Sequence, residues 1–213
     1  MTWYTGFMKN RDYKNFAPGA IVHVYNRGNN REKIFHDQGD YKAFLFRVGL
    51  ALGIEPEILQ KENLLSVPYS RIRINADRNL FKLHAFCLMP NHFHLLIEQT
   101  GDIPVSKLIS QLCTSYAMYV NKKYKRVGHV FQDKFKAVLI ENNPQLMWIS
   151  AYIHMNPVKA KLVKHPSEYK WSSYLDFADE RNLPIVCKEL VMSSFDKKDF
   201  EKETLNFAVK DSP

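Results

Sequence analysis

The stretch FKLHAFCLMPNHFHLLIEQ, residues 81–99, decides the fold. Two strand-like runs flank Pro90-Asn91, a turn pair, so the segment reads as a tight antiparallel hairpin. Alternate side chains of a strand share a face. His92 and His94 therefore point the same way, and Phe93 points to the core. Two imidazoles side by side suit half of a metal site. Paired histidines in a strand are also common as plain surface or core residues, so the hairpin alone leaves both readings open.

Working outward, AIVHVYNRGNNR (20–31) reads as a strand that ends in a turn at Gly28-Asn29-Asn30. Val22 and Val24 take one face; His23, Tyr25 and Arg27 take the other. Asp40 is expected to cap a helix carrying Phe44, Leu45, Val48 and Leu52. Residues 53–80, interrupted by Pro56 and Pro68, are expected to form a long connection with local helix. Val105, Leu108, Ile109, Leu112, Tyr116, Tyr119 and Val120 mark a long amphipathic helix, with Gly128 as its expected stop. KFKAVLIE (134–141) is a further strand. Asn143-Pro144 opens a helix that runs to Asn156-Pro157. The resulting order, βαββαβ with one more helix, predicts an α+β chain. Its expected core is a ferredoxin-like antiparallel sheet with helices on one face, plus a C-terminal helix. Residues 1–18 are expected to be an N-terminal arm, 19–175 the domain, and 176–213 a polar, peripheral tail.

Apolar residues make up 46% and charged residues 24%, which excludes a disordered chain. The net charge is +8, from 30 Lys and Arg against 22 Asp and Glu. That excess fits a polyanionic partner, nucleic acid or membrane surface, and equally a merely basic protein. The N-terminus has no secretory pattern and no stretch approaches the ~20 apolar residues that span a bilayer. The expectation is a cytoplasmic chain without membrane contact. Cys87, Cys113 and Cys187 are far apart and read as reduced thiols, not a disulfide framework or a thiolate zinc site.

A second cluster, AYIHMNPVKAKLV (151–163), places Tyr152 and Asn156 four residues apart on one helix face. A phenol and an amide oxygen are both useful beside a metal. Mixed imidazole and oxygen ligation suits Mg2+ or Mn2+ better than structural zinc. Asn156 precedes Pro157, a position disfavoured in the α region, so it is expected at the helix terminus. A bare helix stop remains the other reading of Asn-Pro. Lys122, Lys123, Lys125 and Arg126 interleave with Tyr124, then Lys134 and Lys136 follow, then Lys159, Lys161 and Lys164. Cations among aromatics suit single-stranded nucleic acid, although lysines at a helix C-terminus also answer the macrodipole.

Taken in order, MPNHFHLLIEQ, a helix ending NKKYKRVGHVFQDKFKAVLI, YIHMNPVKAKLV and WSSY resemble the single-tyrosine HUH transposases. The resemblance is strongest to the REP-associated tyrosine transposases, from about Ile21 to Tyr174. It implies a ferredoxin-like fold with a C-terminal catalytic helix. The implied activity is a metal-dependent transposase and endonuclease that cleaves and rejoins single-stranded, hairpin-forming DNA through a 5′-phosphotyrosine. It makes Tyr152 the nucleophile and His92, His94 and Asn156 the ligands of Mg2+ or Mn2+. It puts the segment of Arg27 and Asn29 near the DNA; the interleaving of cations and aromatics adds Lys122, Lys123, Tyr124, Arg126, Lys134, Lys136 and Lys159 as expected contacts. The connection 53–80 is longer than is common, and both termini match poorly. Those departures bear on DNA sequence specificity and leave monomer and homodimer both open. A non-catalytic nucleic-acid-binding module of the same fold is the alternative, against which the intact His92, His94, Tyr152 and Asn156 set argues. A replication or conjugative nicking enzyme shares the chemistry but often carries further domains. A structural metalloprotein would need a closed ligand set, for which His154 and Glu98 are weak candidates.

Overall fold

In the computed structural model, which describes residues 16–64, 80–195 and 199–210, alternation sets the centre of the fold. In β1 (Ile21–Arg27) Val22 and Val24 are fully buried in one apolar layer. In β3 (His92–Gln99) Phe93, Leu95 and Ile97 join the same layer. β2 (Phe81–Met89) changes parity, with Phe81 and Leu83 in that layer, then Phe86 and Leu88. The cause is a register slip between Leu83 and Ala85; an extra residue in one strand exchanges the faces of everything beyond it. With β4 (Lys136–Ile140) the order is β2-β3-β1-β4, every pair antiparallel. This is the expected ferredoxin-like sheet.

The first face is covered by α1 (Gln38–Ala51) and α3 (Val105–Lys123), with the short α2 (Pro56–Lys61) beside α1. The helix ends differ from expectation. Asp37, not Asp40, caps α1; Asp40 stands three residues in and completes a reciprocal capping box. α3 stops at Lys123, short of Gly128. Lys125 takes the left-handed φ of 51°, and the Arg126 amide reaches back to the Asn121 carbonyl at 2.9 Å. That is a Schellman closure with lysine where glycine is usual.

α4 (Asn143–Lys159) lies on the opposite face. Asn142, one residue earlier than expected, caps it by accepting from the Gln145 amide. The helix also runs through Pro157 instead of ending at Asn156. A proline here costs one hydrogen bond close to an end that would soon lose its bonds anyway. The Ala160 amide on the Asn156 carbonyl and the Leu162 amide on the Pro157 carbonyl close the last turn.

Residues 176–210 depart from the expected polar, peripheral tail. Around α5 (Tyr174–Phe177), α6 (Glu189–Met192) and α7 (Asp199–Lys210), the side chains of Phe177, Leu183, Ile185, Val191, Phe195 and Phe200 are buried. They are spread singly among charges, so no hydrophobic period announces them, yet most close the layer over α4. The Arg181 guanidinium fastens this segment through Asp176 and the Lys170 carbonyl. The WSSY run and Cys187 seal the β2 edge: the Leu88 amide donates to Trp171 O, the Ser173 amide to Phe86 O, and the Cys187 amide to Leu83 O. Most of the arm (all but residues 16–18) and of the 53–80 connection lies outside the described residues. Among the described residues no helix is long and apolar enough to cross a membrane.

Candidate active site

The site forms where the polar face of β1 and β3 meets α4. Strand register sets Tyr25 opposite His94 and Arg27 opposite His92. The face that carries His92 and His94 thus also carries His23 and Tyr25, while Phe93 is in the core behind them. His94 is 4% exposed and His23 fully buried. Their rings lie 5.1 Å apart and nearly parallel, with His23 Nε2 2.9 Å from His94 Nδ1. Tyr25 stacks on both.

From α4, Tyr152 meets these rings edge-on, 5.5 Å from His94 and 6.1 Å from His23. Trp148, one turn earlier, stacks on the Tyr152 ring at 5.4 Å. The Lys159 ammonium lies 5.6 Å from the centre of that ring. Asn156 Nδ2 donates to the Tyr152 carbonyl at 2.8 Å. The Asn156 side chain also acts on His92, in the sense that favours a protonated ring. Its amide nitrogen is thus turned to its own helix.

Both histidines are tuned to be neutral. Burial, then the nearby Arg27 cation, takes His92 down to about 4 against a smaller opposing effect of Asn156. Burial, His23, His92 and Arg27 hold His94 well below its ordinary value. A neutral imidazole has one proton to give. His92 gives it from Nδ1 to Asn91 Oδ1 at 2.6 Å, since the Asn91 amide nitrogen is turned to the Arg31 carbonyl. That leaves the His92 Nε2 lone pair available. A metal-binding histidine is held in this way, with its other nitrogen bonded behind it. The donor set thus fits a divalent ion: two neutral imidazoles and an amide side chain. Among the described residues no cluster of three or more His, Cys, Asp or Glu side chains suits a metal.

The basic residues divide. Arg27 acts on both histidines and Lys159 stands over Tyr152. Lys136 pairs with Tyr25 in register. Lys123, Tyr124 and Arg126 instead serve the α1–α3 face. The Lys123 ammonium is 2.7 Å from both Asp37 and Asp40, Tyr124 donates to Asp40, and Arg126 pairs with Glu32. Lys122 and Lys134 are exposed, and Asn29 is half-buried with its backbone bonded to Val130. His154, two residues past Tyr152, is directed away from the site, fully buried and bonded to Ser173. Glu98 pairs with His84.

Three contributors fall outside the expected set: His23, Tyr25 and Trp148. The alternation of β1 had put His23 and Tyr25 off the core face. A ferredoxin-like strand order, in which β1 neighbours β3, is the signal that brings them to His94. Trp148 is four residues before Tyr152, so helical spacing alone stacks it there.

Comparison with known proteins agrees with this geometry. The family model for IS200-like transposases matches residues 54–156, a span that contains His92, His94, Tyr152 and Asn156. No curated protein matches the chain. Among solved structures, a REP-associated tyrosine transposase bound to a REP hairpin is similar, with a TM-score of 0.57 and 17% identity over 84% of this chain and 90% of that one. Residues 54–156 thus resemble the IS200-like transposases, and the fold as a whole is similar to that of the REP-associated enzyme.

Proposed function

We propose that the chain is a transposase and endonuclease that cleaves and rejoins single-stranded, hairpin-forming DNA through a 5′-phosphotyrosine on Tyr152. One observation carries this reading: residues some 60 positions apart meet within one chain, with Tyr152 edge-on to His94 and Asn156 near enough to act on His92. The structural neighbour's bound REP hairpin supports the choice of a hairpin substrate.

His92, His94 and Asn156 are the residues that would hold Mg2+ or Mn2+. When bound, such an ion supplies positive charge beside the scissile phosphate and favours the phenolate. The chain's own groups do the rest. The Tyr152 oxygen attacks phosphorus; the Tyr152 O–P bond forms as the P–O3′ bond breaks. The phenol loses a proton and the departing 3′ oxygen gains one, so a 3′-hydroxyl and a phosphotyrosine ester result. One phosphoester replaces another, so a 3′-hydroxyl of a different strand reverses the step and joins new DNA without an external energy source. Lys159 places a cation by the Tyr152 ring, which stabilises the phenolate. Arg27, beside His92, offers a second cation to the phosphate. Trp148 limits the swing of the Tyr152 ring and offers a flat face to a base.

The test is a denaturing gel after incubation with single-stranded DNA from the gene's own flanks, with and without Mn2+. The wild-type protein is expected to form a covalent adduct that requires the metal. Tyr152→Phe is expected to form none while still binding the hairpin. An adduct of undiminished yield in that variant removes Tyr152 from its role. A wild-type protein that binds hairpins and never forms an adduct is the non-catalytic module.

A further inference from the structure

His23 is not among the four motif residues, and the steps above do not use it. It is fully buried, its Nε2 is 2.9 Å from His94 Nδ1, and its own Nδ1 has no hydrogen-bond partner. Tyr25 stacks on its ring at 5.2 Å and Tyr152 meets it edge-on. A buried imidazole nitrogen without a partner is costly, so its retention calls for an explanation. Proton counting supplies one. A single proton lies between His23 and His94. If His23 Nε2 carries it, His94 keeps its own proton on Nε2 and cannot ligate through that atom. If His94 Nδ1 carries it, His94 Nε2 holds a lone pair, and His23 must hold its proton on Nδ1, the partnerless atom. Asn91 does the equivalent work for His92, with its carbonyl accepting the Nδ1 proton at 2.6 Å.

We infer that His23 is a positioning residue for the metal site: it accepts the Nδ1 proton of His94 and so presents the His94 Nε2 lone pair to the ion. The orphaned Nδ1 of His23 is the cost of that arrangement. The inference rests on the reading of His94 as a metal ligand, and it adds a residue on β1 to a site whose motif residues lie on β3 and α4.

The experiment titrates full-length, DNA-free protein with Mn2+ alone, followed by electron paramagnetic resonance. His23→Phe keeps a ring in the core and cannot accept a proton. It is expected to weaken Mn2+ binding by about 10–100-fold, the usual effect of removing such an outer partner. His23→Gln keeps an accepting oxygen and is expected to stay within about threefold of wild type, by the same argument. In the Mg2+-saturated protein, nitrogen NMR is expected to find the His94 proton on Nδ1 in the wild-type and Gln forms. Wild-type affinity in His23→Phe overturns the inference, as does a folded Gln variant whose Mn2+ affinity falls about 10-fold or more below wild type. The second outcome decides the matter even if the Phe variant fails to fold. The His92→Ala/His94→Ala double variant separates the two layers of the claim. If it binds Mn2+ as wild type does, the metal reading itself fails. If it loses Mn2+ while His23→Phe does not, only the role of His23 fails.

Discussion

On one face of the sheet Val22, Val24, Phe93 and Leu95 pack with Phe44, Leu112 and Tyr116; on the other, His23, Tyr25 and His94 gather under Tyr152. The same strands make both faces, and adjacent residues serve opposite ends. The first face buries apolar area, and its buried Tyr116 hydroxyl donates to the Ile34 carbonyl at 2.7 Å. The second buries imidazoles that are held neutral and leaves the Nδ1 of His23 without a partner. Burial of that kind does not stabilise a fold. A chain keeps such groups where it needs them, which is why violations of packing rules cluster at functional sites.

The comparison predicts that damage to the two faces separates into chemistry and stability. The largest effect belongs to the polar face. Tyr152→Phe removes one oxygen and is expected to lower adduct formation on the order of 10³-fold or more, with little change in melting temperature. Next comes Phe93→Ala, one residue from each of His92 and His94. Phe93 is fully buried between Phe44 at 5.0 Å and Phe131 at 5.9 Å. Its truncation is expected to cost about 3–5 kcal/mol, a fall of roughly 10 °C in melting temperature for a chain of this size. At a temperature where the variant is still folded, adduct formation is expected to persist. Loss of chemistry in Phe93→Ala without loss of stability, by calorimetry beside the gel assay, breaks the separation.

Much of this was legible in the sequence. The period of two in residues 21–27 and 92–99 assigns Phe93 and its neighbours to the core and the histidines to the other face. The helix stripe of α3 needs only a period near four. The site's four motif residues are legible as a pattern because strand alternation and helical spacing orient each pair before any contact is known. Other features depend on long-range choices. The β2 slip at His84 has no local cause that a reader of FKLHAF can see. The path of α4 through Pro157 depends on how close the helix end is, and the burial of residues 176–210 depends on a sheet face that only the folded chain provides. His23 shows the boundary clearly: alternation gives its face, while its partner follows from strand order.

A third effect probes what the α1–α3 face does with its charges. Asp40 is fully buried, and burial alone would raise its carboxyl; bonds from Lys123, the His36 amide and Tyr124 outweigh that and hold it low. Asp37 is also held low, chiefly by Lys123. A carboxylate lowered in the folded state adds stability above its ordinary value of 3.8 and loses it as pH falls through the lower folded value. Burial opposes the Lys123 charge, yet the two carboxylates raise its pKa, so its share persists at neutral pH and disappears only above its ordinary 10.5. The tie is therefore complete between those limits. Lys123→Met strands a buried carboxylate and is expected to cost about 2–3 kcal/mol near pH 7, less than a fully buried pair because the lysine is partly in water. In urea titrations at pH 3 and pH 7 the wild type is expected to lose stability on acidification and the variant to lose less. Equal slopes in the two proteins remove the tie.

The smallest effect separates basic residues that meet DNA from those that only look as though they do. Lys159, at the polar face, is expected to neutralise one phosphate of a single strand. Lys159→Ala should then reduce the slope of log affinity against log salt by about 0.7. Lys123 is equally basic in the sequence, but its ammonium sits 2.7 Å from two carboxylates. Lys123→Met is expected to leave the slope unchanged, because a cation already neutralised within the chain displaces no counterion from DNA. Affinities for a hairpin probe at three or four salt concentrations decide it, measured with Tyr152→Phe as background so that no covalent product accumulates. If Lys123→Met lowers the slope as much as Lys159→Ala does, the ion pair opens toward DNA. Residues 122–126 then form a contact surface on the packed face as well, and the division of labour between the two faces is less sharp than their side chains imply.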